Sequence, residues 1–254
     1  MCPNCRAFVT TSDKVCPYCQ APLGPRAIER RNPGEILGGL IPHVRFTTLM
    51  ILLVNTALFI ADYFDPVVNE AGQSVPAVLL QGQWWRLITA GFLHQGILHI
   101  LMNSWVLFDL GAEVETLYGT SRLIVFYFVS TITGFFASSH LGAHFSVGSS
   151  AGIFGLIGAM LAFGFTDRSS LGMQVKSLYM RWVIYGLVLS FIPGVDFWAH
   201  VGGFSGGFIA GWLASTPRAR LMWKEPLLRA LAGVSIAITV VAFGMMYLSM
   251  MRAS

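Results

Sequence analysis

Six polar side chains lie within or beside apolar runs, where such groups are costly: His94, His99, Asn103, Ser149, Ser150 and His200. A serine hydroxyl is a weak nucleophile until a neighbouring base takes its proton, and histidine is the usual base. Ser150 stands between Gly148 and Gly152 in GSSAG, so little bulk surrounds its hydroxyl. His99 and Asn103 are spaced i, i+4 and share one helix face. Their imidazole and amide, with the free N–H groups of a helix start near Gly148 and Ser150, are donors of the kind that hold an oxyanion. The chemistry these residues define is acyl transfer, with Ser150 as nucleophile and His200 as general base. Asp196, four residues before His200, has the type of a third member, but a hydrated loop carboxylate is its simpler role. Taken singly, each residue has a plainer reading. A serine in a span usually packs and hydrogen-bonds, and Gly148–Gly152 or the ladder Gly202, Gly203, Gly206, Gly207, Gly211 indicates close helix packing.

A second constellation opens the chain. Cys2, Cys5, Cys16 and Cys19 form two knuckles, CPNC and CPYC. A two-residue gap lets both thiolates of a knuckle reach one ion, and two knuckles complete a tetrahedral four-sulfur zinc site. Four thiolates leave no open position, so the metal is structural, and its binding supplies most of the folding energy of so small a module. Iron in a rubredoxin-like site and a redox CxxC pair are the alternatives.

The elements that must position these residues are set by composition. The chain has 254 residues, 55% hydrophobic and 11% charged, whereas soluble domains carry about 25% charged residues. With a mean hydropathy of +0.65, the chain fits a multi-span membrane protein rather than a soluble enzyme, a disordered protein or a nucleic-acid-binding domain. Seven spans are expected, near 46–63, 96–114, 121–141, 149–166, 178–193, 199–216 and 229–250. The fourth and sixth are rich in Gly and Ala, as suits helices buried among other helices. With the N-terminus in the cytoplasm, 14 of the 16 Lys and Arg residues fall on the inner side, leaving Arg86 and Arg252 outside. The positive-inside rule therefore fixes this orientation and accounts for the net charge of +4. The second, fourth and sixth spans then all start on the outer side, which gathers His99, Ser150 and His200 at one depth. The long outer segment 64–95 carries Trp84, Trp85 and Arg86, either as an interfacial anchor or within a structured surface loop. The polar start of the chain leads to no expectation of a signal peptide.

These motifs resemble the rhomboid family of intramembrane serine proteases. HQGILHILMN is similar to its second-span motif at His99 and Asn103, VGSSAGIFGLIGAM to its Gly-x-Ser motif at Ser150, and FWAHVGGFSGG to its sixth-span motif at His200. QWWRLITAGFLH resembles its Trp-Arg loop signature at Trp85–Arg86, and GAEVETLYG the segment after the second span, with Glu115 at the acidic position. The resemblance covers about residues 46–216. It implies an all-α polytopic fold, a six-helix bundle plus one C-terminal transmembrane helix, preceded here by the zinc ribbon. It further implies an endopeptidase that cuts transmembrane protein substrates near the external membrane face, through a Ser150–His200 dyad and with no cofactor. His99, Asn103 and Gly148 would then form the oxyanion site. Ala151 stands where Gly usually follows the nucleophile, and Phe154 where some members place a Tyr that stacks under the base.

The expected division is a zinc ribbon at 1–24, a basic Pro- and Gly-containing linker at 25–45, the catalytic core at 46–216, and a loop with the seventh helix at 217–254. The expected setting is a plasma or inner bacterial membrane, with the site opening outward and the ribbon free to meet a cytoplasmic protein partner. No nucleic-acid partner is expected. A catalytically inactive relative that only binds transmembrane helices would lack the Ser or the His, and both are present. A transporter would need acids at mid-depth, and only Asp109 lies well inside a span.

Overall fold

The computed structural model describes residues 4–5, 15–21, 45–66, 70–142, 145–214 and 224–253. The chain divides into two compact units, Met1–Ile36 and Leu37–Ser254. Among the described residues, seven long helices build the second: α1 (Phe46–Phe64), α2 (Ile97–Tyr118), α3 (Thr120–Leu141), α4 (Ser150–Thr166), α5 (Ser170–Leu189), α6 (Phe197–Leu213) and α7 (Lys224–Ala253). Of these, α1, α2, α3 and α7 are long and apolar enough to cross a membrane by themselves, and α4 is a shorter apolar helix. The outward surface of the bundle is rich in exposed Leu, Ile, Val, Phe and Trp, including Leu101, Trp105, Ile184, Val188, Ile209 and Val240. Such a surface is stable only against lipid.

Helix boundaries follow local chemistry. Gly119, at φ +85°, separates α2 from α3 by one residue, a backbone conformation that glycine adopts without steric cost. The fifth helix starts at Ser170, eight residues before the expected position, because Ser169 caps it by accepting from the Gly172 N–H. Gln174 and Lys176 in the second turn hide the helix start from a hydropathy reading, and the Lys176 ammonium lies 4.1 Å from the centre of the Phe165 ring.

The expected burial holds for the fourth span in full and for the sixth on one face only, since α6 also exposes Ile209, Trp212 and Leu213. Every residue of α4 from Ala151 to Gly164 is buried. Helix α6 is wedged between α3 and α4 by two glycine stripes. A Cβ on Gly203, Gly207 or Gly211 would lie 2.2 Å from Ala151 O, 2.0 Å from Gly155 O or 2.7 Å from Ala159 Cα. On the neighbouring stripe, a Cβ on Gly202 or Gly206 would lie 2.5 Å from Thr133 O or 2.1 Å from Thr133 Oγ1. Backbones this close gain dispersion contact along the whole interface, which is what holds helices together where lipid offers no hydrophobic drive.

The segment before α2 is a structured loop. Strand β1 (Gln73–Ser74) pairs antiparallel with β2 (Phe145–Ser146), the strand just before α4. Trp85 is buried while Trp84 is exposed, and Arg86 ties the loop together by donating from Nη1 to Gly72 O (2.7 Å) and from Nε to Gln83 Oε1 (2.5 Å). Trp85, Ile88 and Leu93 pack with Ala242 and Met246 of α7. At the opposite end, Arg122 of α3 pairs with Glu225 of α7 at 2.7 Å.

Candidate active site

The N-terminal ends of α2, α4 and α6 meet in one polar cluster. Ser150 is the first residue of α4 and is partly exposed, while His200 is buried in the first turn of α6. Gly203, one turn beyond His200, lies against Ala151, the residue after Ser150, so the glycine stripe sets these two ends at one level. Phe154, one turn after Ser150, stacks on the His200 ring with centroids 4.0 Å apart and planes at 13°. The stacking expected of an aromatic ring at this position is present without a hydroxyl. No hydrogen bond joins Ser150 Oγ to His200 among the described residues. The bonded ring nitrogen of His200 is Nδ1, 2.5 Å from Ser190 Oγ.

Gly148 lies at φ +132°, and its amide donates to Ala90 O at 2.9 Å. A Cβ at Gly148 would fall 2.7 Å from His99 Nε2 and 3.5 Å from Asn103 Nδ2, so three residues inferred from sequence converge. The Asn103 Nδ2 group is buried and has no hydrogen-bond partner among the described residues. A buried amide donor left open costs free energy unless a ligand completes it. The arrangement brings together imidazole, amide and helix-start N–H groups, donors of the kind that can hold an oxyanion, beside a turn of small residues.

The remaining polar residues are structural. Ser149 is fully buried; its hydroxyl lies 3.1 Å from His94 Nε2, and its backbone N–H donates to the same nitrogen at 3.4 Å. His94 precedes α2 in the loop, and burial, reinforced by neighbouring His99, pushes its imidazole down to about 3. His94 is thus neutral, with Nε2 accepting. Asp196 is half-buried and does more than carry a loop charge: Oδ1 accepts from the Ala199 N–H at 3.0 Å as the α6 cap, and Oδ2 accepts from Ser138 Oγ at 2.5 Å. One oxygen thus caps α6 and the other ties that cap to α3. Asp109 is exposed rather than turned into the bundle, which leaves the interior without a mid-depth acid from that position.

Sequence reasoning missed the part played by two groups, one beside the site and one at the other end of the bundle. Ser190 ends α5 ten residues before His200, with no motif to flag it. Glu115 was legible as an acidic position but not by its task. Its two oxygens accept from the N–H and hydroxyl groups of Thr47 and Thr48 at 2.8–3.2 Å and from Thr120 Oγ1 at 2.9 Å. One buried carboxylate thereby caps α1 from the far end of α2.

In the N-terminal unit, the sulfurs of Cys5, Cys16 and Cys19 lie within 4.8 Å of one another, with Cys5 and Cys16 at 3.7 Å. Cys2 lies outside the described residues. A tetrahedral zinc–thiolate site with bonds of about 2.3 Å has sulfur–sulfur edges of about 3.8 Å, so these three thiols fit a metal ion. Gln20, at φ +58°, turns the second knuckle back so that its N–H reaches Cys16 O at 2.9 Å.

A multi-helix membrane bundle with this polar cluster at the starts of its second, fourth and sixth helices has the build of a rhomboid. Residues 81–217, more than half of the chain, match the Rhomboid domain, and the chain belongs to the rhomboid family. Among its relatives, "Rhomboid protease GluP" of Bacillus subtilis is 31% identical over 206 residues, covering 79% of this chain and 40% of the relative. "RHOMBOID-like protein 4" of Arabidopsis thaliana is 34% identical over 145 residues, 56% of this chain and 37% of the relative. "Rhomboid-like protease 2" of Toxoplasma gondii is 30% identical over 204 residues, 72% of this chain and 71% of the relative. The chain thus spans less than half the length of the Bacillus and Arabidopsis relatives.

Proposed function

We propose that the chain is an intramembrane serine endopeptidase that cuts transmembrane protein segments near the external membrane face. The observation that carries this reading is the buried, unpartnered Asn103 Nδ2 beside Gly148, two residues from Ser150. It is a donor waiting for an acceptor where a substrate carbonyl would lie.

In this mechanism Ser150 Oγ attacks the scissile carbonyl while its proton passes to His200 Nε2. The negative charge on the tetrahedral oxygen is held by Asn103 Nδ2, His99 and the backbone N–H of Ser150. Collapse breaks the carbon–nitrogen bond, and His200 returns the proton to the leaving amine. Water, deprotonated by the same imidazole, then hydrolyses the acyl-serine and restores both groups. Catalytic hydrogen bonds in resting sites are often loose and tighten on substrate, which accommodates the absence of a Ser150–His200 bond. The Phe154 ring holds the imidazole plane meanwhile.

The decisive experiment is cleavage of a model transmembrane substrate with a destabilised helix by the full chain in liposomes. Ser150→Ala and His200→Ala should each lower the rate by about 10⁴-fold or more. Absence of cleavage by the native chain, or unchanged cleavage in both variants, would sink the protease reading and leave a protein that only binds transmembrane helices.

The charge distribution supports a cytoplasmic N-terminus and an outward-opening site in a bacterial plasma or inner membrane. The cysteine spacing supports a structural zinc ribbon over 1–24, linked by 25–45 to the core at 46–216 and its C-terminal extension at 217–254. Of these thiols, Cys5, Cys16 and Cys19 would hold the ion, with Cys2 as the fourth ligand, and a cytoplasmic protein is the partner class such a module would meet. Metal analysis of the purified full chain should give about one zinc per chain, lost in Cys5→Ser and Cys16→Ser variants. A metal-free native protein prepared under reducing conditions would refute the site.

A further inference from the structure

We propose that Ser190 is a positioning residue for His200: its hydroxyl accepts the Nδ1 proton and so fixes the tautomer in which Nε2 is bare. This inference rests on the Ser150–His200 reading above.

The argument is a count of protons. A serine hydroxyl has one O–H to give and two lone pairs to offer. Ser190 Oγ lies 2.7 Å from Gly186 O and 2.5 Å from His200 Nδ1. Gly186 O is a carbonyl and can only accept, so the one hydroxyl proton goes there. Were that proton turned to Nδ1 instead, two bare oxygens would face each other at 2.7 Å. The Nδ1 atom must therefore be the donor in its own contact, and a neutral imidazole protonated at Nδ1 has Nε2 free to accept a proton. That is the form a general base acting on Ser150 requires.

Among the described residues, Ser190 is the one hydrogen-bond partner of the His200 ring. Asp196, the carboxylate nearest in sequence, is committed through both oxygens to Ala199 and Ser138. Ser190 is buried, and it ends α5 with its own N–H bonded to Gly186 O and Leu187 O, so the hydroxyl cannot swing to water. Gly186 also closes the assembly from the other side. A Cβ there would meet Phe154 Cζ at 2.6 Å, so its bare Cα admits the ring that stacks on His200. One turn of α5 thus both seats the stacking ring and anchors the acceptor. The role resembles that of the orienting acid in a triad, carried out by a neutral oxygen that adds no charge to an apolar setting.

The test combines kinetics with a spectroscopic signature on the full chain in lipid nanodiscs. The kinetic probe is a fluorogenic transmembrane peptide carrying a Gly-Ala helix break. Ser190→Ala should lower kcat about tenfold with KM changed less than about twofold, and Ser190→Thr, which keeps the hydroxyl, should restore most of the loss. Nitrogen NMR of the histidine-labelled native protein, with His200 assigned by difference from His200→Ala, should show a protonated Nδ1 and a bare Nε2. In Ser190→Ala the two forms should mix. Wild-type kcat in Ser190→Ala, a folded Ser190→Thr no better than Ser190→Ala, or a native His200 protonated at Nε2 would each overturn the proposal. Failure of the underlying dyad reads differently, as His200→Ala retaining activity. The native NMR signature decides the matter if either variant fails to fold.

Discussion

At Gly148 a single missing methyl group decides whether the donor pocket exists. Its φ of +132° is a conformation that L side chains rarely adopt, and a Cβ would press on His99 Nε2 at 2.7 Å. Gly148→Ala is expected to lower kcat/KM at least tenfold, since strain of about 1–3 kcal/mol adds to the displacement of His99. Thermal unfolding should show the bundle still formed. Phe154 offers a milder test at the same scale. Phe154→Leu keeps the bulk against Gly186 but removes the stacked ring, so kcat should fall several-fold with little change in KM, as steady-state cleavage would show. The meeting of Gly148 with His99 and Asn103, and of the helix starts that carry Ser150 and His200, could be expected from the sequence, because each residue sits in a short run whose types make little sense in a membrane otherwise. The part of Ser190 could not. A serine at a helix end has many ordinary uses, and its meaning comes from two contacts, one within its own turn and one across to α6, that no local pattern encodes.

Among the elements, the first helix depends on a residue 67 positions away, counted from Thr48 to Glu115. Glu115→Ala would strand two backbone N–H groups and the hydroxyls of Thr47 and Thr48 in a buried place, and is expected to cost about 3 kcal/mol, measured as a fall in thermal unfolding temperature in detergent. Glu115→Gln, which keeps one acceptor, should cost less. The loop before α2 carries a pH dependence. His94, held at about 3 in the fold against 6.5 when unfolded, binds its proton more readily in the unfolded chain. Its contribution is complete above about pH 6.5 and is lost progressively as pH falls toward 3. Unfolding at pH 5 should therefore be easier than at pH 7 by about 2 kcal/mol from this group alone, and His94→Asn should flatten that slope. Hydropathy located six of the seven helices to within a few residues and misplaced the start of α5. There Gln174 and Lys176 make the second turn polar, and the helix start is held by a cap and by a cation on an aromatic ring.

For the whole molecule, composition already required lipid, and the glycine stripes required helices in close contact. What composition withheld was which helix meets which. The sequence shows small residues at 203, 207 and 211 and again at 151, 155 and 159, yet only the assembled bundle pairs those two rows and leaves 202 and 206 for α3. The pairing is what brings the starts of α4 and α6 level, so the site is a by-product of how three helices nest. Gly207→Val should push α6 from α4 at a cost of about 3 kcal/mol or more and reduce cleavage even where the protein remains in the membrane. Inheritance makes this interface unforgiving in its own way. Any amino acid that replaces a glycine brings at least one carbon with it, so no missense change at Gly155, Gly203, Gly207 or Gly211 is gentle. A saturation screen scored by cleavage would find these helix-packing positions as intolerant as Ser150 itself.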